Sequence, residues 1–222
     1  MLVGAVLLRL TFTDTYTRYV RSELGPFLIV AGIAVIVVGL VTLIQAIRHV
    51  EPDEAHGHDH EHAHRVGAGW LLLAPIAALL LVAPPTLGSY GVERAANVDV
   101  RSGPAIFEKL KRRDGPATMT LLEYVERSFE HRGASFNGVP VQLTGFVAGT
   151  EDGGLRLARY QIACCAADAT PTVVRVLGTS GTSPRDDQWV TVTGTFGGTA
   201  GDIPTLTATA VVEIEAPNDP YE

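Results

Sequence analysis

Val139-Pro140-Val141-Gln142-Leu143-Thr144-Gly145-Phe146-Val147 and, further on, Trp189-Val190-Thr191-Val192-Thr193-Gly194 share one pattern. Apolar residues alternate with polar ones, and each run reaches a glycine two residues after an apolar position, Leu143 or Val192. A period of two places alternate side chains on one face of a strand. The glycines Gly145 and Gly194 are expected at bulges, where barrel strands bend sharply. Between and beyond these runs come Leu155 and Leu157 leading to Tyr160 and Ile162, then Val173, Val174 and Val176 after Pro171, then Leu206 to Ile214. Five short strands separated by turn signals predict a small closed or sandwich-like sheet. A five-stranded Greek-key barrel of the OB type fits that count, although pattern alone leaves other small β-domains open.

Upstream of the first strand, Thr120-Leu121-Leu122-Glu123 has the form of a capping box. Leu121, Leu122, Val125 and Phe129 then share one side of a helix that stops before Gly133. The β-domain with this packed helix is assigned to residues 118–222, behind a charged linker at 93–117 that contains Lys109, Lys111, Arg112 and Arg113.

Working back toward Met1, the composition changes. Gly25 to Ile47 holds no charged residue, and neither does Val66 to Val92. A membrane span needs about 20 apolar residues to cross some 30 Å of hydrocarbon. Two transmembrane helices are therefore expected, at about 26–47 and 67–84. Pro75 should kink the second, and Pro84-Pro85 should end it. Residues 1–13 are apolar but too short to cross alone. They read either as a partial membrane helix or as an interfacial helix with Arg9 snorkelling to the headgroups, and they lack the features of a signal peptide. The expected architecture is membrane α plus soluble β: two or three transmembrane helices within residues 1–92, then the OB-like barrel.

From Glu93 onward there are 12 Lys/Arg against 17 Asp/Glu, a net charge of −5. Phosphates would repel such a domain, so nucleic acid is not expected as a partner. No G-x-S-x-G elbow, H-E-x-x-H or G-x-x-x-x-G-K-[ST] loop occurs. His131, the one histidine after residue 93, follows a helix end, where capping the dipole is the expected role. The reading is non-enzymatic. Two or three helices do not easily enclose a pore, so a transport role needs a homo-oligomer or a multipass partner, with lipid around the spans.

Two stretches carry candidate ligands. The loop at 48–65 contains His56, His58, His60, His62 and His64 at every second position, interleaved with Asp59 and Glu61. Imidazole is the commonest metal ligand, and such tracts capture zinc, nickel or copper loosely; the alternative is a solvated spacer. The second stretch is Ala163-Cys164-Cys165-Ala166-Ala167-Asp168, which holds both cysteines of the chain. Adjacent Cα atoms lie about 3.8 Å apart, too close for an ordinary disulfide. The open readings are two thiolates binding a soft metal with Asp168, a strained redox pair, or two small buried side chains. A strand would send the thiols to opposite faces, whereas a bend at Ala163–Ala167 would let both sulfurs and the Asp168 carboxylate converge. Arg159 and Arg175 are the nearest cations in sequence that could tune the thiolates.

Several motifs together carry a resemblance: Tyr16-x-x-Tyr19-Val20, the His-rich loop between spans, Val82-Ala83-Pro84-Pro85 with Leu87-Gly88-Ser89-Tyr90, and Thr120-Leu121-Leu122-Glu123-Tyr124. To these are added Cys164-Cys165-Ala166-Ala167-Asp168-Ala169 and the closing Pro217-x-Asp219-Pro220-Tyr221-Glu222. The chain resembles a family of bacterial membrane proteins described as one subunit of a two-component permease complex, with a C-terminal domain of unknown function that carries the Cys-Cys-x-Ala-Asp-Ala element. The resemblance implies a multipass permease partner and, in some members, a link to zinc supply.

The leading expectation is a multi-pass accessory subunit in the cell membrane. Zinc is the expected metal, held by Cys164, Cys165 and Asp168 and gathered by the His-rich loop. A membrane-anchored thiol redox protein or metallochaperone is the second reading, and an interaction domain with structural cysteines the third. Arg48 and Arg65 put the His-rich loop inside and the β-domain outside the cell by the positive-inside bias, against which Arg18 and Arg21 count.

Overall fold

The strands named above close on themselves. In this computed structural model residues 2–48, 87–94, 107–112, 114–151, 153–178 and 184–222 are described. The expected span at 67–84, the histidines from His56 to His64 and most of the linker fall outside those residues. The chain divides into two compact units, Met1–Thr13 with Pro26–Pro85 and Asp14–Gly25 with Thr86–Glu222.

In the first unit, helix α1 (Leu2–Phe12) packs on helix α2 (Gly25–Arg48). Small residues permit the close approach: a Cβ on Gly4 would meet the Gly32 carbonyl oxygen and Ile36 at 2.7 Å, and one on Gly32 would meet Leu8 at 3.1 Å. The 24 residues of α2 extend about 36 Å at 1.5 Å per residue. Phe27, Val30, Val38 and Ile47 point outward, exposed. Among the described residues α2 is the one helix long and apolar enough to cross a membrane.

The second unit is built on six strands: β1 (Ala117–Thr118), β2 (Val141–Glu151), β3 (Gly154–Gln161), β4 (Thr170–Leu177), β5 (Trp189–Ala200) and β6 (Ile203–Glu213). Their order is β1-β2-β3-β4-β6-β5, and β5 returns to pair with β2. Strands β2 to β6 therefore form a closed five-stranded barrel in which only β4 and β6 run parallel, an OB-like topology. The first strand, β1, pairs parallel to β2 outside the barrel. Closure depends on β2 serving two neighbours: its Val141–Phe146 half pairs with β5 and its Phe146–Glu151 half with β3.

Two apolar layers result. Inside the barrel lie Val141, Leu143, Val147, Leu155, Leu157, Val174, Val176, Val190, Val192 and Leu206, all fully or nearly fully buried. Helix α3 (Ser89–Arg94) supplies Val92 to a second cluster with Phe146, Ala158, Tyr160, Trp189 and Tyr221. These outward-facing barrel residues are apolar because residues 87–92 and 219–222 cover them. Tyr160 donates its hydroxyl to the Gly88 carbonyl at 3.0 Å, which fixes that cover.

Helix α4 (Leu121–Phe129) contributes Leu121, Tyr124 and Val125 to the barrel core. Tyr124 donates to the Thr205 carbonyl at 2.8 Å. The buried face differs from the expected one: Tyr124 is fully buried and Leu122 only half so, because the i, i+3, i+4 row from Leu121 runs through Tyr124 and Val125. Thr120 accepts the Glu123 amide at 3.0 Å, while the Glu123 carboxylate turns to Arg127 at 2.8 Å.

Three of the five barrel strands are longer than the short strands expected, since β2, β5 and β6 each run 11 or 12 residues. Gly194 does mark a register shift against β6. Gly145 does not, for its pairing with Val190 is continuous. It is needed for close approach instead: a Cβ there would lie 2.6 Å from the Ala158 carbonyl oxygen of β3.

Candidate metal centre

The loop between β3 and β4 is where both cysteines emerge. Gln161 and Thr170 form the last pair of the two strands, and the chain then leaves the sheet. Ile162 stays buried and donates its amide to the Glu222 carbonyl at 3.3 Å. Residues Ala166–Asp168 make a single 3₁₀ turn.

Asp168 closes this loop. One carboxylate oxygen accepts the Ala163 amide at 2.8 Å, and the other accepts those of Cys164 at 2.9 Å and Cys165 at 3.3 Å. Three amides aimed at one carboxylate curl the backbone, so the alternation of a strand is lost. The two sulfurs lie on the same side, 3.7 Å apart. The sulfurs and a carboxylate oxygen of Asp168 all fall within 4.8 Å of one another.

The electrostatics follow from this geometry. The Asp168 carboxylate beside the Cys164 thiol pushes it up to about 12, and the Cys165 sulfur, to which that thiol donates at 3.7 Å, adds to the shift. Asp168 is held down at about 2, first by that thiol and then by the Cys164 and Ala163 amides. Without a metal the pair is a protonated thiol beside a carboxylate. Cys164 is exposed and Cys165 half-buried, and neither belongs to the two apolar clusters.

A divalent ion fits this donor set. Two thiolates at about 2.3 Å from a tetrahedral ion stand about 3.8 Å apart, close to the 3.7 Å observed. The cation would take the place of the thiol protons, with the Asp168 carboxylate within reach.

Neither arginine chosen from the sequence serves the thiols. Arg159 donates to the carbonyls of Asp219, Pro220 and Tyr221 at 3.0–3.3 Å and lies 3.6 Å from Glu222. Arg175 pairs with Arg156, five positions along the strand from Gln161 and Thr170, or about 16 Å at 3.3 Å per residue. Exposed His131 lies 3.9 Å from the Glu130 carboxylate. The residues that do meet the cysteine loop were missed by sequence reasoning. Arg21 donates its amide to the Cys164 carbonyl at 3.1 Å, and Ala166 donates to the Tyr19 carbonyl at 2.7 Å. Beside the loop opens a cleft of about 420 Å³ lined by Arg21, Thr120, Gln161, Asp168, Thr170 and Glu222, among others.

Among solved structures, the telomere capping protein Ten1 from Saccharomyces pombe is 13% identical with a TM-score of 0.28, over 45% of this chain and 81% of that one. The S. pombe Stn1–Ten1 complex gives 13% and 0.30, over 47% and 82%. Scores this low carry no argument. No relative was found among curated proteins. The DUF1980 N-terminal domain matches residues 1–96 and the DUF1980 C-terminal domain residues 118–222. With both domains present in order, the chain belongs to the DUF1980 family.

Proposed function

We propose that this chain is a non-catalytic accessory subunit of a membrane permease, and that its barrel binds a thiophilic divalent cation, zinc first, through Cys164, Cys165 and Asp168. The observation that carries the reading is the convergence of two sulfurs at 3.7 Å with a carboxylate beside them. Three protein ligands would leave a fourth position for water or a partner's side chain, as in zinc sites that exchange ligands. Binding releases the protons of both thiols, so affinity rises with pH.

The membrane part rests on α2 and on the uncharged run from Val66 to Val92. In this reading the protein is multi-pass, the His-rich loop lies inside, the barrel lies outside the cell, and the transport path belongs to a multipass partner or a homo-oligomer. An impermeant maleimide tests the topology on Ser102→Cys in a background lacking Cys164 and Cys165. Labelling of intact cells is expected, and labelling only after lysis would reverse the orientation.

Thiol redox chemistry is the second reading. It is less favoured because a thiol raised to about 12 is a poor nucleophile at neutral pH. A purely packing role for the cysteines is disfavoured by the exposure of Cys164. Metal content of the purified protein decides among these. One equivalent of zinc that is lost in the Cys164→Ser, Cys165→Ser double variant is expected; equal content in both would reject the site.

A further inference from the structure

The cysteine loop is held from two sides, and only one of them is the Asp168 clasp. On the other side lies the segment Asp14–Gly25, which belongs to the same compact unit as the barrel. Val20 and Cys165 form an antiparallel bridge flanked by the Arg21 amide on the Cys164 carbonyl and the Ala166 amide on the Tyr19 carbonyl. Thr17 donates its hydroxyl to the Asn218 carbonyl at 2.7 Å, and Tyr221 donates to the Arg18 carbonyl at 2.7 Å. The segment is thus a connector docked on the backbone of the residues that would hold the metal, and the chain continues from it into α2 at Gly25.

We propose that metal occupancy at Cys164 and Cys165 and docking of the Asp14–Gly25 connector are reciprocally linked. This rests on the metal-binding reading above. An ion bridging adjacent thiolates requires the backbone from Ala163 to Ala166 to keep the one shape that brings the sulfurs together. The connector holds that same stretch through the Cys164 carbonyl and the Ala166 amide. When it is docked, the loop has fewer conformers to lose on binding, so affinity is higher. By reciprocity, a bound ion holds the connector in place by the same factor. Occupancy is thereby conveyed to the residues that lead into α2. The binding step moves no electrons: the two thiols give up their protons to solvent and each sulfur forms one bond to the cation.

Arg21 allows a clean test. Its backbone, at φ −55° and ψ 136°, already suits proline. Arg21→Pro therefore removes the amide that the Cys164 carbonyl accepts, while Arg21→Ala removes the guanidinium and keeps that amide. The full chain is used in detergent, with Cd²⁺ affinity measured by competition against a chromophoric chelator. Arg21→Pro is expected to bind Cd²⁺ about tenfold more weakly than Arg21→Ala. The reciprocal measurement needs no new variant in the connector: Cd²⁺ should slow tryptic cleavage after Arg18 about tenfold in the wild type, and not at all in the Cys164→Ser, Cys165→Ser protein. Equal Cd²⁺ affinities for the two Arg21 variants, or cleavage indifferent to Cd²⁺ in a wild type that binds it, would overturn the linkage and leave the metal site standing. A wild type that binds no Cd²⁺ would remove the metal site and the linkage with it.

Discussion

Glu222 accepts the backbone amide of Leu121 at 3.1 Å, across 101 positions of sequence. Its second carboxylate oxygen accepts the amide of Leu122 at 3.3 Å. The side chain of one residue therefore caps the first turn of α4 and lies 3.6 Å from Arg159. Helix starts leave amides without intrahelical partners, and a carboxylate there also meets the positive end of the helix dipole.

The Glu222 side chain is almost wholly buried, and burial raises its pKa against the opposing pull of the Leu121 amide and Arg159. A raised carboxyl favours folding while protonated, so this proton-linked part of its contribution is complete below the unfolded pKa and is lost as pH rises through the folded one. The cap on the Leu121 and Leu122 amides is a separate contribution. Denaturant unfolding followed across the acid range should show this decline, and Glu222→Gln should flatten it. Glu222→Ala should lower stability at neutral pH by about 1–2 kcal/mol through loss of the cap. An alanine variant as stable as the wild type would rule out the capping role.

Asp168 works in the opposite sense. Its pKa falls from 3.8 to about 2, so the stability it lends the loop is present above pH 4 and is lost as pH drops toward 2. The amide resonances of Ala163 and Cys164 should titrate with a midpoint near 2, and Asp168→Asn should abolish that titration. A midpoint near 4 would mean that the carboxylate does not hold these amides.

The same carboxylate slows Cys164 alkylation. A rise from 9.0 to about 12 leaves roughly a thousandfold less thiolate at neutral pH. Iodoacetamide labelling of the metal-free protein, read by mass spectrometry, should be slow at Cys164 and rise steeply with pH. Asp168→Asn should accelerate it. No change in that variant would show that the Asp168 carboxylate does not keep the thiol protonated.

Gly145 sets how closely β3 can approach β2. Adding a methyl group places it 2.6 Å from the Ala158 carbonyl oxygen, which is backbone and cannot swing aside. Gly145→Ala should therefore cost about 1–3 kcal/mol, seen as a lower unfolding midpoint. Gly138→Ala is the control for open space, where a Cβ meets nothing within 4 Å; at a φ of +69° it carries only a backbone cost of about 1 kcal/mol.

The His-rich loop is expected to gather metal without forming an essential site. Replacing His56, His58, His60, His62 and His64 with Asn should leave the unfolding midpoint unchanged and reduce loosely bound zinc measured after gel filtration. Complete loss of function in that variant would make the tract a primary binding site.

Much of this architecture is written in local pattern. The alternation from Val139 to Val147 and from Trp189 to Gly194 reports strands whose inner faces are buried, because a period of two has few other physical causes. The uncharged run at Gly25–Ile47 reports a helix of membrane length, and Thr120 reports the start of α4. The adjacency of Cys164 and Cys165 restricted the pair to a short menu of chemistry. Tertiary structure alone decided which way the thiols point, because Asp168 curls the loop with three backbone amides. It alone docked Tyr19 and Arg21 on that loop, brought Glu222 to α4 and engaged Arg159 with the carbonyls of residues 219–221. All of these are hydrogen bonds to main-chain groups. Every residue but proline carries the same N–H and C=O, so side-chain identity leaves no mark of such partners, and only the closed barrel brings them together.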